Sequence, residues 1–167
     1  LPREGLTDGV VRLRAMRPED ADGYRELESD PVTLEFGFSG DPMSAAEARR
    51  GADRAGLDWL VGRAATMTIE DVATGRFAGE LRLRHAGPPG VGGIGYGVHP
   101  AFRGRGYTAR ALRLLVPWAF GPGGFGRLEL GAKTENVASQ RAALAAGFEP
   151  DGVRAGRLRN PDGSYSD

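Results

Sequence analysis

The sequence predicts an α/β fold in the order βααβββαβαβ, with a seventh strand truncated or absent. Three observations carry that reading. Short segments alternate apolar and polar residues with the period of two of a half-buried strand: Val11, Leu13 and Ala15 against Arg12 and Arg14, then Ala65, Met67 and Ile69 against Thr66, Thr68 and Glu70. A segment after residue 106 repeats its apolar positions, Ala111, Leu112, Leu115, Val116 and Ala119, at helical spacing. Glycine and proline clusters separate these runs, as at Gly87-Pro88-Pro89-Gly90 and Gly121-Pro122-Gly123-Gly124.

Taken in order, the first strand runs through Val11–Ala15 and leads by Arg17-Pro18-Glu19-Asp20 into a helix from Ala21 to Ser29, which stops at Asp30-Pro31 because a residue before proline is pushed out of the helical region. A second helix starts at Ser44, an N-cap with Glu47 at the capping-box position, and continues to about Leu60. Ala73-Thr74-Gly75-Arg76 then turns one strand into the next, in which Phe77, Gly79, Leu81 and Leu83 alternate with Glu80, Arg82 and Arg84.

Val91 to Val98 reads as a strand thinned by Gly92, Gly93, Gly95 and Gly97; glycine inside a strand costs stability and marks a bulge or a close approach. The helix that follows carries Pro117, expected to kink or end its last turn. Leu128, Leu130 and Ala132 outline a fifth strand, and Asn136 opens a helix running to about Ala146 with Gly147 as its C-terminal cap. A last strand is expected from about Phe148 to Leu158, and Asn160-Pro161-Asp162-Gly163 signals a turn with only four residues left for the returning arm.

With 167 residues and 40% hydrophobic content, the chain is read as one domain spanning residues 1–167. Lys plus Arg and Asp plus Glu both total 22, so no net charge favours nucleic acid or an acidic membrane, and neither is expected as a partner. No cysteine is present, which removes disulfides, thiolate metal sites and a cysteinyl acyl-enzyme. No apolar run has the length of a signal peptide or a membrane span, so the expected location is cytoplasmic, and a start at Leu1 in place of Met points to a missing or processed N-terminus.

The chemistry centres on Arg103-Gly104-Arg105-Gly106-Tyr107-Thr108, placed between a strand and an amphipathic helix. A helix start presents unpaired amide hydrogens and a partial positive charge; a Gly-rich entry lets the backbone close on phosphate oxygens, with Arg103 and Arg105 adding charge. The ending lacks the Lys-Ser/Thr of a P-loop, and there is no Gly-x-Gly-x-x-Gly with a downstream ribose-binding acid in a parallel βαβ unit, so ATP and NAD are disfavoured. The alternative is an ordinary Gly-rich loop with solvated arginines.

Arg103, Gly106 and Thr108 resemble the Gln/Arg-x-x-Gly-x-Gly/Ala acetyl-CoA signature of the GNAT superfamily of N-acetyltransferases, with Thr in place of the final Gly/Ala. Asn136-Val137-Ala138-Ser139 followed by Gly147-Phe148 is similar to the Asn-x-x-Ser...Gly-Phe segment of the branch containing the ribosomal-protein alanine acetyltransferases. The resemblance implies a mixed, mostly antiparallel sheet with helices on both faces. It implies acetyl-CoA as co-substrate, no metal, and transfer of the acetyl group to a primary amine, either a protein N-terminal α-amine or a small molecule, in a ternary complex, with a homodimer allowed.

Carried over residue by residue, the resemblance has the strand of Tyr96 and Val98 splay from that of Leu128 so that pantetheine lies between them, with a backbone amide near Tyr96 or Val98 polarising the thioester, a contribution on the order of 3 kcal/mol. Gly104, Arg105, Gly106, Tyr107 and Thr108 with Arg103 would hold the pyrophosphate, Asn136 the pantetheine amide, and Ser139 would protonate the leaving thiolate. Asn136 equally suits a helix N-cap.

No carboxylate stands at Gly93, where many relatives carry an acid, and Ala143 replaces a tyrosine that some branches use. Glu80 is the remaining candidate base, weighed against a solvated or ion-paired strand residue; His85 and His99 read as surface or packing residues. Without a strong base an α-amine, roughly a tenth neutral at pH 7, is favoured over lysine, under a thousandth neutral. Two further readings keep the groove: an acyl-CoA-binding domain without catalysis, and a transferase of another acyl group such as succinyl, accommodated by Arg82 and Arg84.

Overall fold

The computed structural model describes residues 1–37, 40–160 and 162–167. Six strands lie side by side in chain order: β1 (Leu6–Thr7), β2 (Val11–Ala15), β3 (Ala64–Asp71), β4 (Phe77–His85), β5 (Val91–Val98) and β6 (Arg127–Leu130). Neighbours from β1 to β5 are antiparallel, while β5 and β6 are parallel. The helices are α1 (Ala21–Glu28), α2 (Pro31–Phe36), α3 (Ala45–Leu60), α4 (Tyr107–Phe120) and α5 (Val137–Ala145). A separate two-stranded sheet pairs β7 (Leu158–Arg159) with β8 (Tyr165–Ser166).

The period-two alternation sorts the sheet into two unlike faces. Leu13, Met67, Ile69, Leu81, Leu83 and Ile94 point to one side and form the main core with Ala111, Leu112, Leu115 and Ala119 of α4. In the strand pairs, Arg14 meets Thr68, Thr68 meets Glu80, and Thr66 meets Arg82, so the other face is polar although α1 and α3 cover it. Burial of charge there is tolerated because it is paired. Arg14 donates to both oxygens of Asp20 at 2.7 and 2.8 Å and to Glu70 at 2.5 Å, and the Thr68 hydroxyl donates to Asp20 at 2.7 Å. Burial pushes the Asp20 carboxyl up, but these bonds and one from the Arg17 amide outweigh it and hold the carboxyl below its usual range.

The structure departs from the expected elements in five places. Asp30-Pro31 ends α1 and at once starts α2: Pro31 takes the first helical position, where its missing N–H costs nothing, and the Asp30 carboxylate accepts from the Thr33 amide at 3.1 Å. The edge strand β1 has too few residues to show a period. The fifth strand stops at Leu130, leaving Ala132 outside it. The stretch from Phe148 to Arg157 forms no strand, since Pro150 lacks a donor and Gly152 and Gly156 adopt φ of +115° and +61°. The final hairpin closes with two-residue arms, in its own sheet, and Pro161 of its turn lies outside the described residues.

Candidate active site

Strands β5 and β6 pair from Val91↔Arg127 to Ile94↔Leu130 and no further, so Gly95–Val98 continue without a partner on that side. Carbonyl Gly90 faces β6 and the His99 amide bonds to Ala78 on the β4 side; alternation along the strand therefore turns the N–H groups of Tyr96 and Val98 toward the unpaired gap. The glycines permit close packing around it. A Cβ on Gly92 would lie 2.8 Å from Leu128, and one on Gly97 would lie 3.1 Å from Leu27, whereas the space over Gly95 is open to 4 Å.

At the end of β5 a 3-10 turn (Pro100–Phe102) leads into α4, whose N-cap Gly106 has φ +72° after Gly104 at +74°. No side chain caps this helix start and no acid sits in its first turn, so its free amides and the positive end of its dipole suit a pyrophosphate. The side chains around it have other partners. Arg103 donates from Nε to the Val98 carbonyl at 3.2 Å and from Nη2 to Asp30 and Thr33, turning its charge toward α2. Arg105 lies over the Phe102 ring at 5.3 Å. Tyr107 is buried and its hydroxyl donates to Asp71 at 2.6 Å, fastening the helix start to the β3–β4 turn. Thr108 is half-buried in the first turn of α4.

Across the gap, Asn136 caps α5, its side chain accepting from the Ser139 amide at 3.0 Å. The Tyr96 hydroxyl donates to the Ser139 carbonyl at 3.0 Å and lies 2.8 Å from Ser139 Oγ, which is thus placed to donate to it. Burial pushes the Tyr96 phenol up. From the sequence Tyr96 has only a backbone role; the hydroxyl pair joins residues 43 positions apart, and no local pattern marks it.

The other face of the sheet carries the acids. Glu80 pairs in register with Gly97, which Leu27 covers, and Arg82 with Gly95, over which the space is open. Of the two alternatives to a base, a solvated or an ion-paired strand residue, Glu80 is not the solvated one: its side chain is 12% exposed, Oε2 is shut off from solvent without a hydrogen bond, and Arg82 stands at ion-pair distance, 3.9 Å away. Burial first and the Glu28 charge second push its carboxyl up to about 7, against the pull of Arg82. Gly93 offers no substitute position, since a Cβ there would meet Ala86 at 2.9 Å.

Neither histidine reaches this place. His99 is buried, accepts from the Ala101 amide through Nδ1 at 3.3 Å and so donates through Nε2 to Glu26 at 2.8 Å; His85 is exposed and stacks on Phe125 at 5.1 Å. A cavity of about 510 Å³ on the polar side is lined by Arg14, Asp20, Glu70, Glu26 and His99; Arg14 bonds to Asp20 and Glu70, and His99 to Glu26. Among the described residues no cluster of three or more His, Asp or Glu could hold a metal, and no helix is long and apolar enough to cross a membrane.

A family model described as acetyltransferase (GNAT) domain matches residues 11–149. The Bacillus subtilis (strain 168) protein named "Probable N-acetyltransferase YjcK" is 37% identical over 60 residues, 36% of this chain and 33% of that protein, so the match spans about a third of the curated relative. Two solved structures share the fold. The microcin C7 self-immunity acetyltransferase MccE, in complex with acetyl-CoA and AMP, superposes with a TM-score of 0.85 at 18% identity, over 99% of this chain and 93% of that one. The Salmonella typhimurium acetyltransferase that modifies the N-terminal serine of ribosomal protein L7/L12 gives a TM-score of 0.80 at 20% identity, over 94% and 90%.

Proposed function

The chain belongs to the acetyltransferase (GNAT) family, and we propose that it transfers an acetyl group from acetyl-CoA to a primary amine by direct attack with both substrates bound. One observation carries this reading: Glu80, with one carboxylate oxygen shut off from solvent and without a hydrogen bond, stands on one face of β5, a hydroxyl pair, Tyr96 and Ser139, lies on the other, and unpaired strand amides lie between them.

The donor supplies the thioester, and the uncapped start of α4 from Gly106 to Thr108 holds its pyrophosphate. The amides of Tyr96 and Val98 orient pantetheine and polarise the carbonyl, and Asn136 shapes the far wall of the groove. Glu80 takes the proton from the acceptor ammonium, so that the neutral nitrogen attacks; with a value near 7 it is about half ionised at neutral pH, where a general base works best. As the carbon–nitrogen bond forms and the carbon–sulfur bond breaks, the departing sulfur receives a proton from the Ser139–Tyr96 pair on the other side of the sheet, and the second proton shed by the nitrogen passes to solvent, from which that pair is reprotonated. No covalent acyl-enzyme is needed, because amine and donor reach the same opening from opposite faces.

The acceptor is an α-amine of a peptide or a small-molecule amine. Arg103 contributes by fixing the β5 end and α2 more than by touching phosphate, since its guanidinium is already engaged. Thiol release from acetyl-CoA with a panel of amines, beside calorimetry with acetyl-CoA, tests the reading. Amine-dependent release is expected; binding with no release on any amine would favour the non-catalytic alternative.

A further inference from the structure

Helix α3 turns its alanines inward: Ala48, Ala52 and Ala55 are buried against Met16 and Tyr24, and Trp59 on the same side meets Trp118 at 6.2 Å between ring centres. The opposite side ends in an apolar stripe. Leu57, Leu60 and Val61, three and four residues apart, are 63%, 81% and 64% exposed, and apolar side chains exposed together mark a contact site in a way that single ones do not. Two glycines interrupt the helix, and only one is explained within the chain. A Cβ on Gly51 would lie 3.0 Å from Tyr24 of α1, whereas one on Gly56 would meet nothing within 4 Å among the described residues. Glycine at Gly56 therefore weakens the helix without serving the packing of this chain. Gly56 borders the stripe on one flank, a turn before Leu60; Arg54 and Asp58, an exposed ion pair at 3.4 Å, border it on the other.

We propose that this side of α3 is a two-fold interface between two copies of the chain, with the helices antiparallel and crossing at Gly56. In a two-fold contact the same patch serves both sides, and an antiparallel crossing sets residues equally far before and after its centre level with one another. Arg54 and Asp58 stand two residues before and two after Gly56, so each guanidinium meets the carboxylate of the other copy, and two weak exposed pairs become one network of four charges. This self-complementarity selects a second copy over an unrelated partner. On the opposite flank the two Gly56 positions face each other, and the missing side chains let the backbones approach closely. Between the flanks Leu57 packs on Leu57 of the second copy, and Val61 lies along the aliphatic stems of Arg50 and Arg54 of the second copy. None of these residues belongs to the acyl-transfer site, so the proposal stands apart from the transferase reading.

Sedimentation velocity on the chain at about 1 to 100 µM tests this, with a shift from monomer to dimer expected across that range. Gly56→Gln should weaken the dimer about tenfold or more while leaving the melting temperature of the dilute monomer unchanged or raised, since glutamine favours a helix and finds open space there. Arg54→Asp and Asp58→Arg each set like charges against one another across the crossing, and each variant alone should sediment as a monomer. An equimolar mixture of the two should recover the dimer, because every charge then meets its opposite, and mixing cannot repair a fold. A native chain that stays monomeric at about 100 µM would leave the stripe to another partner and overturn the proposal. So would a dimer undisturbed by Gly56→Gln, or a mixture of the charge variants that remains monomeric.

Discussion

Arg103, the first residue of the Gly-rich turn, gives its guanidinium to Asp30, the residue that caps α2, so the loop before α4 is tied to the short helix beside the groove. Lys133, from beyond β6, holds the other end of α2 through the Glu35 carbonyl at 2.8 Å. No residue of α2 is buried, and these polar ties are its main anchors. Arg103→Ala is therefore expected to reduce acetyl-CoA affinity less than about tenfold, and to speed amide exchange across residues 31–36. Hydrogen exchange and calorimetry on the variant check both; a loss of a hundredfold in affinity would mean that Arg103 is a phosphate ligand.

The role proposed for Glu80 sets an expected pH dependence. As a base it must be ionised, so kcat/KM should rise with pH through a midpoint near 7, and Glu80→Gln should lose that limb and about 10²–10⁴ in rate. A profile flat between pH 6 and 8 in the native protein would exclude this role.

The same carboxyl affects stability. Its folded value of about 7 lies above the usual 4.5, so its protonation favours the fold fully below about 4.5 and this is lost as pH rises through 7. Glu80→Gln, which mimics the protonated form, should be more stable than the native protein at pH 8 by about 3 kcal/mol at most and nearly equal to it at pH 4. Urea denaturation at the two pH values gives the comparison.

Asp20 carries the opposite sign. Its carboxyl is held below the usual range by Arg14, Arg17 and Thr68, so its contribution is present at neutral pH and lost as pH falls through the lowered value. Asp20→Asn leaves Arg14 buried with Glu70 alone and should cost about 3–5 kcal/mol at pH 7. A loss below about 1 kcal/mol would show that the network relaxes to solvent.

Tyr96→Phe removes the phenol between β5 and α5 while keeping the ring. On the proposed mechanism it should lower kcat by about 10–100-fold with little change in KM for acetyl-CoA, since the Tyr96–Ser139 hydroxyl pair that would carry a proton to sulfur is broken. Steady-state kinetics distinguish this from a rise in KM with kcat intact, which would make Tyr96 a binding residue alone.

Much of this was legible in the sequence wherever a local period or cap was at work. The β3–β4 hairpin, the Ser44 capping box and the α4 stripe each follow from spacing within about ten residues. What the sequence hid depends on register. Glu80 reads as one polar residue among several on an alternating strand, and only its pairing with Gly97 beneath α1 makes it a buried acid. The Tyr96–Ser139 pair and the Arg103–Asp30 tie join distant segments and leave no local trace. Asp30-Pro31 was ambiguous by chemistry, since a proline that stops one helix serves equally well as the first residue of the next.

The most direct test is the dissociation constant of acetyl-CoA for the native protein and for Thr108→Glu. Gly106 itself is a poor probe, because its φ of +72° strains any side chain. Thr108 lies in the first turn of α4, where an added carboxylate favours the helix dipole and preserves the fold but repels a bound pyrophosphate. Measurable binding to the native chain and a loss of about a hundredfold or more in the variant are expected. Equal affinity in the two proteins would place the donor elsewhere and contradict the assignment of its pyrophosphate to the start of α4.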